Sequence, residues 1–236
     1  MKFSFIIPVL NEEKYIAKCI YSIKKQFGED FEIIVVDNGS RDKTVDIVNK
    51  MGVSLVYERK KGISNARNTG AKKAKGELLC FMDADGILSN NWLVEVRKTI
   101  NKSNVLNLVG LNIFTNKNII KKIYYNIFTL FAYLLLILNK IIFGKVFLPG
   151  NNLVIRRSIF LKLGGFEPYV AEDLFLSRKF WMLKNEKAIF NHKMVIYYSS
   201  RGFDTAGYIR TILYWILASV HRIPGDNYSY KSKNIR

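Results

Sequence analysis

The chain has 236 residues, 49% of them apolar and 24% charged. That is enough to bury a full core, and the composition excludes a disordered segment. Lys and Arg number 37 against 19 Asp and Glu, a net +18, which points to a polyanionic neighbour: nucleic acid, an anionic membrane surface or phosphorylated ligands. The two cysteines, Cys19 and Cys80, stand far apart in apolar patterns, there is no C-x-x-C, and there are only two histidines. These counts exclude a structural zinc site and a disulfide scaffold and suit a reducing compartment.

Lys2 to Leu10 mimics a short signal peptide, but Asn11, Glu12 and Glu13 follow at once, so Phe3–Pro8 reads as a first buried strand. Tyr15–Gln26 has helical spacing with Ile16, Ile20 and Ile23 on one face, Glu32–Asp37 is a second strand, and Asp42–Met51 is helical. Val53–Tyr57, Leu78–Asp83 and Leu106–Phe114 supply further strands, separated by helices over Ser64–Ala74 and Trp92–Lys102. This alternation predicts a largely parallel α/β sheet covered by helices on both faces. Ile119–Phe143 is the most apolar stretch. After it come Phe147–Arg156, a short helix, Leu163-Gly164-Gly165-Phe166, a helix opening at Glu172-Asp173, two short strands and an apolar helix over about Gly207–Val220. The expected division is 1–115, 116–146 (the apolar insert), 147–203, and a C-terminal helix and tail over 204–236.

No G-x-x-x-x-G-K-[ST], no G-x-G-x-x-G after the first strand and no G-x-S-x-G occurs. A P-loop, a nicotinamide or flavin fingerprint and a hydrolase elbow are thereby excluded. Carboxylates at strand ends are present instead. Asp37 closes the second strand, and Asp83-Ala84-Asp85 follows the fourth, where ligands collect in open α/β sheets. Two hard oxygen donors there suit Mg²⁺ or Mn²⁺ shared with substrate phosphates; a solvated turn ending at Gly86 is the plainer reading. Asp37-Asn38-Gly39-Ser40 serves equally as a strand exit with a helix cap. Arg67 reads as a surface charge or a contact to an anion, and Glu172-Asp173 as charge complementing a helix N-terminus.

Taken in order, six segments resemble the family 2 inverting glycosyltransferases, which have the GT-A fold. They are Ile7-Pro8-Val9-Leu10-Asn11-Glu12-Glu13, Val36-Asp37-Asn38-Gly39-Ser40-Arg41-Asp42, Ala66-Arg67-Asn68-Thr69-Gly70, Phe81-Met82-Asp83-Ala84-Asp85, Gly164-Gly165-Phe166 and Glu172-Asp173-Leu174. The resemblance runs from Phe3 to about Tyr198. It implies a nucleotide-sugar donor, with Pro8, Glu12 and Asp37 lining the base and ribose pocket and Arg67 near the nucleotide. Asp83, Ala84 and Asp85 would be the D-x-D, with Asp83 leaning towards ribose or sugar and Asp85 towards Mg²⁺ or Mn²⁺ on the diphosphate. Asp173 would be the catalytic base beside Glu172, and Asn151 and Asn152 would lie by the donor sugar and the acceptor. The Q-x-x-R-W of processive members is missing: Tyr208-Ile209-Arg210-Thr211 stands nearest, with Trp215 displaced, so a single transfer is expected. His192 and His221 are isolated and read as ordinary residues, although some relatives carry a late metal-binding His near the second.

The apolar insert raises a topological point. A single crossing of a bilayer by Ile119–Phe143 would put Asp83 and Asp173 on opposite sides, where they cannot share a site. The insert is therefore an interfacial or re-entrant element, flanked by Lys121, Lys122, Lys140 and Lys145 and facing anionic lipid, or a buried core helix. Gly207–Val220 is a second candidate for docking. The expectation is a cytoplasmic enzyme, peripheral on the inner face of the cell membrane, moving one sugar to a hydroxyl or a lipid-phosphate acceptor, lipid-linked or glycan. No nucleic acid is expected, since no dense Arg run or reader motif occurs. The rival reading is a non-catalytic module of the same fold that binds phosphorylated ligands or anionic membrane.

Overall fold

The computed structural model describes residues 2–28, 30–101, 105–183, 187–201 and 204. The expected helix over Gly207–Val220, with Tyr208-Ile209-Arg210-Thr211, Trp215 and His221, lies outside the described residues.

Strand β1 (Phe3–Val9) is the central element, paired in parallel with β2 (Phe31–Asp37) on one side and β4 (Leu78–Phe81) on the other. β3 (Ser54–Tyr57) extends the parallel region beyond β2. Every residue of β1 is buried, as two covered faces demand. Alternate side chains enter two cores. Phe3, Phe5, Ile7 and Val9 meet α1 (Ile16–Lys24), α2 (Thr44–Lys50) and α4 (Trp92–Ile100). Ile6 faces α3 (Ile63–Lys73), α6 (Arg157–Lys162) and α7 (Glu172–Trp181) on the other side.

Beyond β4 the parallel order breaks. β7 (Leu153–Arg156) lies antiparallel between β4 and β6 (Val105–Thr115), and β8 (Lys187–Ser199) runs parallel to β6 with the two-residue β5 (Ile87–Leu88) antiparallel at its edge. The order is β3-β2-β1-β4-β7-β6-β8-β5. The sheet is therefore mixed, parallel in its first half, and the expected halves before and after the insert share it. The two short strands expected near the end are one strand, β8. Its register against β6 jumps from Gly110↔Asn191 to Leu111↔Val195, a bulge at the polar Asn191-His192-Lys193 that makes the sequence look interrupted.

A proline in a central strand is normally excluded because it lacks a ladder donor. Here the carbonyl of Ile6 accepts from the N–H of Met82, while that of Val9 accepts from Asn38. Pro8, two residues after Ile6, thus faces the β4 side, where the paired register has already ended at Phe81. The missing N–H falls where the two strands part.

Helix α5 (Ile119–Phe143) starts at Asn118, whose side chain accepts from the N–H groups of Ile120 and Lys121, and ends at Gly144 in the left-handed conformation, a standard stop signal. It is not a core helix: only Tyr125 and Tyr133 are buried. It covers the stretch of β6 that β7 is too short to pair. The Asn126 amide donates to the Phe114 carbonyl and accepts from its N–H, while the Tyr133 hydroxyl donates to the Gly110 carbonyl and accepts from the Asn112 N–H. Side chains thus satisfy backbone groups that would otherwise be open.

Candidate active site

The loops after β1 and β2 interlock. The N–H of Glu12 donates to Thr44, that of Glu13 to Asp42, and that of Arg41 to Asn11. Asn11 adopts φ 55, a left-handed conformation that Asn tolerates. Asp37 is buried and accepts from the N–H groups of Gly39 and Ser40, so it shapes its own turn. Neighbouring Asn38 accepts from Gly62 N–H and donates to the carbonyls of Glu58 and Lys60, which fixes the entry into α3.

That helix delivers Arg67, 2% exposed, into the cleft. One guanidinium nitrogen donates to Asp83 at 2.9 Å and the other to Glu172 at 2.5 Å. Glu172, 105 positions further along the chain, is thereby held on the same cation as Asp83. The next residue, Asn68, clamps the backbone of Phe166 from both sides, so the segments around Arg67 and Gly165 are joined. A Cβ on Gly150 would run into the Arg67 guanidinium, which explains a glycine there. Asp173 stands in the first turn of α7, partly buried, and accepts from Leu174 N–H at 2.8 Å and from Gly150 N–H. Burial, then the adjacent Glu172 charge, push its carboxyl up to about 7, against the pull of Arg67 and the two N–H groups. Asn151 accepts from Asp83 N–H at 3.2 Å.

A second guanidinium completes the arrangement. Arg201, just after β8, donates to Asp85 at 3.0 Å and to Glu12 at 2.6 Å, and lies 4.1 Å over the Tyr15 ring. Nothing in the sequence analysis singled it out; its position after the last strand, on the side where the carboxylates gather, was the available signal. Between the two clusters sits Cys19, whose thiol is pushed up by burial and then by Asp85, Asp83 and Glu12; it is no nucleophile.

Two expected site residues do not present side chains to this cleft. Ala84 is 1% exposed and packs in the core. Asn152, at φ 59, is turned inward: it accepts from the Trp92 indole N–H at 2.8 Å and donates to the carbonyls of Leu111 and Met194. Its position after Asn151 suggested a partner for the acceptor, but its amide knits β7, β6 and β8 together.

Five carboxylates, Glu12, Asp83, Asp85, Glu172 and Asp173, thus surround two guanidiniums, Arg67 and Arg201. In a chain of +18 this cleft carries surplus negative charge. Its hard oxygen donors, Asp83 and Asp85 foremost, suit a divalent cation of the Mg²⁺ or Mn²⁺ type. Among the described residues no group of three or more His, Cys, Asp and Glu is close enough to cage a metal, so such an ion would take further ligands from substrate oxygens.

The model of the family described as "Glycosyl transferase family 2" matches residues 4–164. The chain belongs to glycosyltransferase family 2. It is 36% identical over 124 residues to the glycosyltransferase AglE of Haloferax volcanii, covering 49% of this chain and 40% of that one. Against the poly(ribitol-phosphate) β-N-acetylglucosaminyltransferase TarS of Staphylococcus aureus the identity is 36% over 110 residues, 43% of this chain and 19% of the relative. The matches thus span less than half the length of either. Among solved structures, S. aureus TarS in complex with UDP-GlcNAc superposes with a TM-score of 0.65 at 23% identity, covering 85% of this chain and 59% of that one. The mannosyltransferase PcManGT from Pyrobaculum calidifontis, in complex with GDP-Man and Mn²⁺, gives 0.67 at 20%, covering 93% and 64%. At these identities the likeness is one of fold, and that fold is GT-A.

Proposed function

We propose that this chain transfers a single sugar, with inversion, from a nucleotide-sugar to a hydroxyl or lipid-phosphate acceptor at a membrane surface, with Mg²⁺ or Mn²⁺. The observation that supports this most is the Arg67 bridge, which brings Asp83 of the D-x-D and Glu172 beside Asp173 to one cation. Glu12, Asp37 and the turn after β2 form the nucleotide end of the cleft, and Asn151 orients the D-x-D through the Asp83 N–H. Asp83 and Asp85 would hold the cation, which would supply charge neutralisation on the departing diphosphate. Asp173 takes the proton of an acceptor hydroxyl; the acceptor oxygen bonds to the anomeric carbon as the bond to the diphosphate oxygen breaks, and the nucleoside diphosphate leaves. A base titrating near neutrality is matched to that task, with a contribution of about 10²–10⁴ in rate. Family membership supports the reaction class; the membrane setting is supported by the exposed apolar face of α5.

The test is turnover. Purified protein with Mn²⁺ and a panel of sugar nucleotides is expected to release nucleoside diphosphate with one of them, and Asp85→Ala to reduce this below detection while the protein stays folded. Absence of release with every donor, with and without lipid acceptors, would leave the non-catalytic module standing.

A further inference from the structure

Helix α5 presents a wide apolar surface that no described residue covers. Ile120, Ile123, Ile127, Leu130, Leu134 and Ile141 are all at least half exposed, spaced three, four or seven apart along one side. The adjoining flank, turned to the sheet, carries the residues that grip β6, Asn126 and Tyr133. A second copy of the chain is a poor occupant. A paired helix seam is narrow and bordered by charges, whereas here Tyr124, Phe131, Leu135 and Ile142 widen the surface and are themselves exposed. No acidic residue occurs in the helix, and no charge of either sign stands between Lys122 and Lys140.

A span across a bilayer fits no better. The 25-residue helix is long and apolar enough to cross a membrane by length and composition alone. Its lysines, however, leave an uncharged run, Ile123–Asn139, of only ~26 Å at 1.5 Å per residue against the ~30 Å of a hydrocarbon core. The grip on β6 also keeps that face of the helix against protein. What fits is a helix lying in the plane of one leaflet, its apolar side in the acyl boundary and its lysines at headgroup level. The +18 of the chain and the lysines at both ends select an anionic leaflet, to which basic side chains near the surface are attracted.

The connection to the cleft gives this docking a purpose. α5 ends at Gly144, and Gly150 donates its N–H to Asp173. Six residues extend to at most ~20 Å, so the end of the helix is tethered close to the carboxylate that receives the acceptor. We infer that α5 docks the chain on one anionic lipid leaflet without crossing it, and so presents the 148–152 loop to an acceptor carried by a lipid in that leaflet. Only the acceptor clause rests on the glycosyltransferase reading; the docking stands apart from it.

The experiment uses the full chain and vesicles of phosphatidylcholine, with and without one third phosphatidylglycerol. The protein is expected to float with the anionic vesicles and at least tenfold less with the neutral ones. Leu130→Glu with Leu134→Glu is expected to reduce flotation at least tenfold while leaving the melting temperature and donor-dependent release of nucleoside diphosphate unchanged. Single cysteines at Lys117 and Lys145, on a background where Cys19 and Cys80 are buried, should both react with an impermeant maleimide on bound vesicles. Failure of the wild type to float, or retained flotation of the double variant, overturns the docking. A lower melting temperature would show the face covered by the chain itself, and a lipid-independent dimer lost in the variant would show a second copy; either overturns it. Protection of one cysteine would show a crossing and do the same. Intact flotation without any donor turnover would instead sink the proposed activity alone.

Discussion

Asp173, the proposed base, carries a stability cost. Its carboxyl titrates near 7 in the folded chain and near 3.9 when unfolded. Between those values the folded state binds the extra proton, so this group's contribution to stability falls as pH rises from about 4 to 7. Asp173→Asn should therefore raise the melting temperature at pH 8, by a stabilisation on the order of 1–2 kcal/mol, with the gain vanishing towards pH 4. Thermal melts across that range check it. The same variant separates the two acceptor classes. A hydroxyl must lose its proton to Asp173, so kcat/KM should fall about tenfold per pH unit below 7 and drop by ~10²–10⁴ in the variant. An already ionised phosphate needs no base, and its transfer would be far less sensitive. Arg67 offers a second prediction. Its two nitrogens serve two carboxylates, a fork that Lys cannot reproduce. Arg67→Lys should cost about 10² in transfer through misplacement of the D-x-D, and Arg67→Met about 3 kcal/mol in denaturant unfolding by leaving buried carboxylates unpaired.

How much of the site could be read in the chain follows from the same residues. Asp83 and Asp85 stand out because a pair of carboxylates after an apolar strand suits a ligand, whereas Asp173, at a helix start, reads by itself as ordinary N-terminal charge and is singled out only through the family resemblance. Arg67 reads as a surface charge or a contact to an anion; only the fold shows it joining Asp83 to Glu172, which lies 105 positions beyond it. Asn152 misled because a loop Asn beside a site has the same sequence signature whether its amide faces ligand or core. Arg201 went unread because a lone Arg after a strand is ordinary in a chain with 37 Lys and Arg.

Single elements show where local rules give way to tertiary ones. α7 begins after Ala171 at φ 61, a conformation that costs a residue with a Cβ roughly 1–2 kcal/mol. This strain aims Glu172 and Asp173 at the cleft. Ala171→Gly should raise stability by about 1 kcal/mol in denaturant unfolding. Asn152→Ala should lower it by about 3 kcal/mol, since the Trp92 indole N–H and two carbonyls lose their partner inside the core. The parallel half of the sheet followed from strand and helix alternation, and α5 was bounded in sequence as it stands in the fold. The antiparallel insertion of β7 between β4 and β6 was not legible, because strand order depends on which edges remain open after the first four strands have paired.

At the scale of the molecule, charge is distributed with a purpose. A strongly basic chain encloses an acidic cleft, so long-range attraction would favour anionic ligands at the surface, and the proposed cation would offset the charge within. Donor affinity should fall steeply when divalent ions are chelated, whereas vesicle binding should fall when monovalent salt is raised. Isothermal titration and flotation separate the two responses.

The grip of Asn126 and Tyr133 on β6 sets a limit on engineering this chain. Excision of residues 119–143 to gain solubility would uncover the carbonyls of Gly110 and Phe114 and the N–H groups of Asn112 and Phe114, an unguarded strand margin of the kind that recruits other chains. Such a truncate should precipitate through strand-to-strand stacking, and a soluble form requires polar replacements on the outer side of the helix with both anchoring side chains retained.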